Sequence, residues 1–212
     1  MKKATGKLIA VLLAVVIICG TFAFGASAAK EDKYVARVSV ICLVRSPGHV
    51  WIYVENLTNK SMKVGAYTLA AKSGVSVGTF GPTRYDGYGI YYNVESYCQS
   101  QYGMSGYRAL TEDITSSELS ALSAGILSYR NSWNPIRNCV AFAAQMWNLV
   151  SEKKLSNLVF PAFSSIQIFL KGCTTDYPVQ KKVSADKVYR QKGNGDSAYL
   201  DPVKQISLRD LQ

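Results

Sequence analysis

The sequence predicts an α+β protein in which an antiparallel sheet packs against a buried, cysteine-bearing helix. Two observations carry that expectation. Between Tyr34 and Val94 the chain is a series of short segments rich in Val, Ile and Tyr, broken by Gly, Pro, Asn and Asp, the pattern of strands joined by turns. From Thr115 onward the period changes, and Leu119, Leu122, Ile126 and Tyr129 recur at helical spacing.

The elements follow in order. Tyr34–Val44 reads as a first strand, ended by Ser46-Pro47-Gly48. His49–Glu55, with its aromatic and β-branched side chains, reads as a second. After a polar turn at Asn56–Ser61, Met62–Leu69 reads as a third, so residues 49–69 are expected to form a hairpin pairing Val50–Val54 with roughly Val64–Tyr67. Gly74–Phe80 and Gly89–Val94 are two further strands. Thr115-Ser116-Ser117-Glu118 is a capping box, in which hydroxyl and carboxylate satisfy the free amides of a helix start.

A second helix is expected from Asn138 to about Lys154, with apolar residues on more than one side and therefore deep burial. Its start is open between two caps. Either Asn138 caps and Cys139 is the first helical residue, or Asn134 caps with Pro135 first. A shorter third helix follows Pro161, around Ser164–Leu170. Thr174–Gln212 is polar and without apolar period. It reads either as a hairpin turned at Gly193-Asn194-Gly195-Asp196 or as a tail, and in both cases as an extension that the core does without.

Residues 1–29 read as a secretory signal: Lys2, Lys3 and Lys7, an uncharged apolar run Leu8–Gly25, then the small residues Ala26-Ser27-Ala28. The folded domain is then 30–173, with 174–212 as the extension. The expected location is outside the cell or at its envelope. The whole chain of 212 residues carries 24 Lys and Arg against 14 Asp and Glu, a net +10. Without the three signal lysines it remains basic, which suits an anionic envelope surface. The basic residues are scattered and match no nucleic-acid-binding motif, so no nucleic-acid partner is expected. No CxxC, HExxH or EF-hand loop is present, and a single His leaves no His-rich metal site. No metal or cofactor is expected.

Two residues stand out chemically. A Cys in the first turn of a helix feels the positive end of the helix dipole, which favours the nucleophilic thiolate; Cys139 holds that position if Asn138 is the cap. His49 opens an apolar strand and is the only imidazole in the chain, so any thiol nucleophile here must use it as base. Cys42 sits in an apolar strand and is expected to pack as a small hydrophobe. That leaves Cys98–Cys173 as an expected disulfide.

Gly48-His49-Val50-Trp51-Ile52-Tyr53-Val54, followed 90 residues after His49 by Asn138-Cys139-Val140-Ala141-Phe142-Ala143, resembles the circularly permuted branch of the NlpC-like, papain-fold thiol enzymes. That branch includes the lecithin:retinol acyltransferase relatives. In it, as here, a His on an early hairpin precedes the Cys at a helix start. The resemblance spans about Val38–Leu170. It implies a papain-like domain, with Cys139 as nucleophile, His49 as base and a third polar residue on the following strand orienting the imidazole. Tyr67 and Thr68 are the nearest side chains for that third role. Trp51, Asn138 and Tyr91, the last within a cluster of tyrosines from Tyr85 to Tyr107, are the expected substrate contacts. Asn93-Val94-Glu95 offers further polar groups that spacing alone cannot place.

The implied function is hydrolysis or acyl transfer at an amide or ester, with cell-wall peptide or an acyl group as substrate. The second reading is a secreted binding protein on the same fold without catalysis. Mature protein is expected to begin within a few residues of Ala29. N-terminal sequencing of exported material checks this, and intact Met1–Gly25 in a membrane fraction would contradict it.

Overall fold

The computed structural model describes residues 33–44, 48–81, 87–103, 106–130, 132–173 and 182–203. The expected signal segment, Ser46-Pro47 and Tyr85 lie outside the described residues.

The chain is α+β, with nine strands and four helices among the described residues. Seven strands form one antiparallel sheet: β1 (Ala36–Leu43), β2 (His49–Asn56), β5 (Gly74–Phe80), β6 (Gly89–Tyr92), β7 (Tyr107–Ile114), β8 (Tyr189–Lys192) and β9 (Tyr199–Pro202). Their order is β7-β1-β2-β5-β6-β8-β9. A separate two-stranded ribbon pairs β3 (Met62–Val64) with β4 (Tyr67–Leu69). The helices are α1 (Val94–Tyr102), α2 (Ser116–Ser128), α3 (Cys139–Val150) and α4 (Pro161–Leu170).

Alternation along the strands sends side chains to two faces. Val38, Val40, Val50, Ile52, Val54, Val75 and Val77 face one side and pack with Leu122 and Ile126 of α2 and with Val140, Phe142, Met146 and Trp147 of α3. Ile41, Trp51 and Tyr53 face the other, and so do Phe80 and Tyr91, which pack with Val94 and Cys98 of α1. The sheet is therefore covered by helix on both sides.

The expected 49–69 hairpin does not form. β2 pairs with β1 and β5, Ile52 opposite Val77 and Glu55 opposite Gly74. The intervening loop is closed on itself by Asn56, whose side-chain amide donates to the carbonyls of Lys60 (2.8 Å) and Ala70 (3.0 Å) while its Oδ1 accepts from Thr58 N–H. The backbone N–H of Asn56 reaches Ser73 O at 2.8 Å. This clamp returns the chain beside β2 at Gly74, so β3 and β4 pair only with each other. The Cys98–Cys173 bridge does not form either. Cys98 is buried under α1 with Phe80 and Tyr91, whereas Cys173 packs against the core on the other face.

The capping box forms as expected, with Thr115 accepting from Glu118 N–H and the Glu118 carboxylate accepting from Thr115 N–H. Two elements were not expected. β7 lies beside β1 along its whole length, and α1 follows β6 through Asn93, which adopts a left-handed φ of 67°. The extension forms the hairpin, and it joins the main sheet where β8 pairs with β6. It is integral: Val188 and Gln191 are fully buried, and Tyr92 Oη donates to Gln191 Oε1 at 2.7 Å.

Truncation after Cys173 would uncover Val188's site, worth about 1.5–3 kcal/mol, and leave the Tyr92 O–H without its acceptor while it still accepts from Ala66 N–H, roughly another 1 kcal/mol. A loss of about 3 kcal/mol corresponds to a fall of about 10 °C in Tm for a domain of this size. A thermal melt of the truncated chain checks this; an unchanged midpoint would make the hairpin an appendage.

Candidate active site

Asn138 decides where α3 begins. Its Oδ1 accepts from Val140 N–H (3.0 Å) and Ala141 N–H (3.2 Å), and its amide donates to the carbonyls of Pro135 (3.1 Å) and Val159. Asn134 is not the cap. Its Oδ1 accepts from the N–H groups of Ile136 and Arg137 instead, forming the turn before the helix. Cys139 is thus the first helical residue, in the dipole's strongest field.

His49 meets it from the start of β2. The ring is 4% exposed, stacked on Phe80 at 4.6 Å and on Trp51 at 5.6 Å between centroids. Its Nε2 lies 3.0 Å from Glu95 Oε1. The Cys139 thiol at the start of α3 is the other group whose charge bears on the ring. Glu95 is fully buried. It sits in the first turn of α1, where a negative charge complements the helix dipole. α1 is fixed to β5, since Asn93 N–H donates to Ser76 O (2.8 Å) and Ser96 N–H to Ser76 Oγ (3.2 Å). Asn93 Nδ2 also donates to Lys187 O at 2.9 Å, so the C-terminal extension holds the turn that carries Glu95.

Burial alone would keep both reacting groups neutral. For Cys139 it pushes the thiol up. The charge and hydrogen bond of His49, then the backbone N–H groups of Val50 and Val140, outweigh it and bring the thiol below its ordinary value. For His49 burial favours the neutral ring, and the thiolate followed by Glu95 outweighs it, raising the imidazole. Each group thus favours the charged form of the other. Cys42 contrasts with this. Burial and the neighbouring Cys139 push it up to about 12, and its thiol is 3.3 Å from Pro161 O. Cys42 is a packed thiol.

The remaining expected residues lie elsewhere. Thr68 is on the exposed side of β4 and accepts from Lys63 Nζ. Tyr67 stacks on Tyr92 at 5.6 Å. Neither is brought to His49, because the ribbon that carries them does not pair with β2. Trp51 is 1% exposed and backs the imidazole. Tyr91 is 2% exposed, donates to Gly87 O and meets Phe80 edge-on. Asn138 spends both side-chain atoms on the helix cap and the Val159 loop. Sequence reasoning did not single out Glu95 as the imidazole's partner. The available signal was an acidic residue two positions after an Asn at the end of an apolar strand, which is a helix-start pattern.

Gly78 in β5 makes room for the pair. A Cβ there would lie 1.9 Å from Glu95 Oε1 and 3.2 Å from His49 Nε2. Among the described residues no cluster of His, Cys, Asp and Glu could hold a metal ion. Compared with protein-family models, curated proteins and solved structures, the chain matches none.

Gly78→Ala is expected to drive Glu95 from His49 while costing about 1–3 kcal/mol of stability, the usual range for overpacking. The measurement is the pH profile of Cys139 alkylation by iodoacetamide, which should shift upward in the folded variant. An unchanged profile would mean that Gly78 does not set the pair's geometry.

Proposed function

We propose that this chain is an exported thiol hydrolase or acyl-transfer enzyme that attacks an amide or ester carbonyl. The observation that carries the reading is the buried imidazole of His49, hydrogen-bonded to the Glu95 carboxylate at 3.0 Å and electrostatically coupled to the Cys139 thiol at the first position of α3. A nucleophile, a base and a group orienting the base are the parts that thiol catalysis needs. The order of the parts along the chain, His on an early strand and then Cys at a helix start, supports the permuted papain-like assignment. The orienting group departs from the expected place: Glu95 comes from the helix after β6.

In the proposed cycle the Cys139 thiolate adds to the carbonyl carbon, and the carbonyl electrons move onto oxygen. The backbone N–H of Cys139 at the helix start stabilises that oxyanion. As the oxyanion collapses, the bond to the leaving amine or alcohol breaks, and the imidazolium of His49 supplies its proton. A thioester remains. His49, now neutral, takes a proton from water or an acceptor hydroxyl, which attacks the thioester and releases the thiolate. Glu95 fixes the ring orientation and balances its positive charge in both half-reactions. The cycle uses no metal or cofactor. Cell-wall peptide is the substrate class proposed first, since an export signal and a basic surface suit the anionic envelope.

The test is the rate of iodoacetamide labelling across pH. In the native protein Cys139 should label fastest, and its rate should begin to rise below the ordinary thiol range. Cys42, pushed up to about 12, should stay inert at neutral pH. In His49→Ala only the N–H groups of Val50 and Val140 oppose burial, so the rise should move to higher pH. Glu95→Gln should shift it in the same direction by less. Identical labelling with and without His49 would sink the nucleophile–base assignment and favour a binding protein.

A further inference from the structure

Helix α4 turns most of its large apolar side chains outward. It buries Ile168, Ser164 (4% exposed) and Ser165 (3%) while leaving Phe163 at 48%, Ile166 at 51%, Phe169 at 61% and Leu170 at 75%. Residues three and four apart share a helix face, so these four form one stripe. Phe160, at 62%, extends it, its ring 6.2 Å from that of Phe163. Ser165 is inward for a reason: Arg108 donates to its Oγ at 3.1 Å. An exposed apolar stripe of this size on a water-soluble surface marks an interaction site.

The chain flanking it is predominantly basic. From Lys153 to Cys173 there is no Asp or Glu and there are three lysines, Lys153, Lys154 and Lys171. Gln167 ties the helix to the loop beginning with those lysines, accepting from Ser156 N–H (2.8 Å) and donating to Ser156 O (3.1 Å). The Arg108 guanidinium lies over the Phe169 ring, 5.0 Å from its centroid. Phenylalanine and leucine flanked by cations are the composition of a helix that lies in a lipid interface. Ten residues, about 15 Å, cannot span a bilayer, and no described helix is long and apolar enough to cross one.

We propose that the α4 stripe seats this protein on an anionic membrane surface, with Phe160, Phe163, Ile166, Phe169 and Leu170 entering the headgroup region and the lysines and Arg108 meeting lipid phosphates. A second copy of the chain would carry the same positive charge against itself, which favours the lipid occupant. The inference is independent of catalysis, yet it orients the site. α4 starts against Gly48, the residue before His49, where an added Cβ would lie 2.8 Å from Pro161 Cβ.

The test uses the full chain with phosphatidylglycerol vesicles and, separately, phosphatidylcholine vesicles. Hydrogen exchange should slow in 160–171 with the anionic vesicles and not with the neutral ones. In co-sedimentation, Phe163→Ser/Ile166→Ser should lower partitioning about tenfold or more, the effect expected when two large apolar side chains no longer reach lipid. Raising salt should weaken binding of the native chain. The apolar run Leu8–Gly25 is common to both proteins and cannot produce the difference. If the double variant melts early, Leu170→Ser, at the most exposed position, replaces it. Equal partitioning of a folded variant, or no added protection in 160–171, overturns the proposal. So does a concentration-dependent dimer that protects the same residues without lipid, because a second copy then occupies the stripe.

Discussion

An imidazole removed from water is costly to charge, by several kcal/mol, unless opposite charge and hydrogen bonds reach it. His49 is in that position, and the arrangement around it is the answer to that constraint. One nitrogen meets a carboxylate at 3.0 Å, and the charge of the Cys139 thiolate favours the protonated ring as well. The aromatic walls of Phe80 and Trp51 exclude water and so strengthen both interactions. Remove either partner and the ring is less readily charged; remove the ring and the thiol keeps only the N–H groups of Val50 and Val140 against burial.

The sheet makes this meeting possible by where it stops. α3 packs on one face with Val50 and Ile52, and α1 on the other with Phe80 and Tyr91. Groups on opposite faces of a sheet do not touch through it. His49 is the first residue of its strand, where the sheet ends, and there a thiol from one layer and a carboxylate from the other can address the same ring. Gly78 on the neighbouring strand supplies the missing volume. The four parts come from β2, β5, α1 and α3, all of them regular elements with packed side chains, which is the footing that a precise site needs.

How much of this was legible in sequence follows from which signals are local. Asn138-Cys139 could be read because a cap and a first-turn residue are neighbours, and the Asn138 amide makes the bonds that its position implies. Strands β1, β2 and β5 were legible because their β-branched residues alternate or cluster. The partner of β2 was not, because pairing is a long-range choice. It was settled by Asn56, a side chain that reads as a polar turn residue and acts as a clamp across fourteen positions. β7 mixes Arg, Thr, Glu and Asp with its buried Ala109, Leu110 and Ile114, which hides a strand that is apolar only where β1 and the core require it. α1 lacks an apolar period, and its N-cap Asn93 makes no side-chain capping bond. The helix that brings the carboxylate therefore carried the weakest helical signal of the four.

The hydrogen bond from Asn93 to Lys187 O has a consequence in time. A chain made from its N-terminus has Cys139, His49 and Glu95 in hand once α3 is complete. It lacks the Lys187 carbonyl that holds the Asn93 turn until the segment after α4 has emerged. Until then β6 is a bare sheet edge and the turn into α1 is held from one side only. Glu95 is fixed beside His49 from both sides only when that later segment has paired with β6.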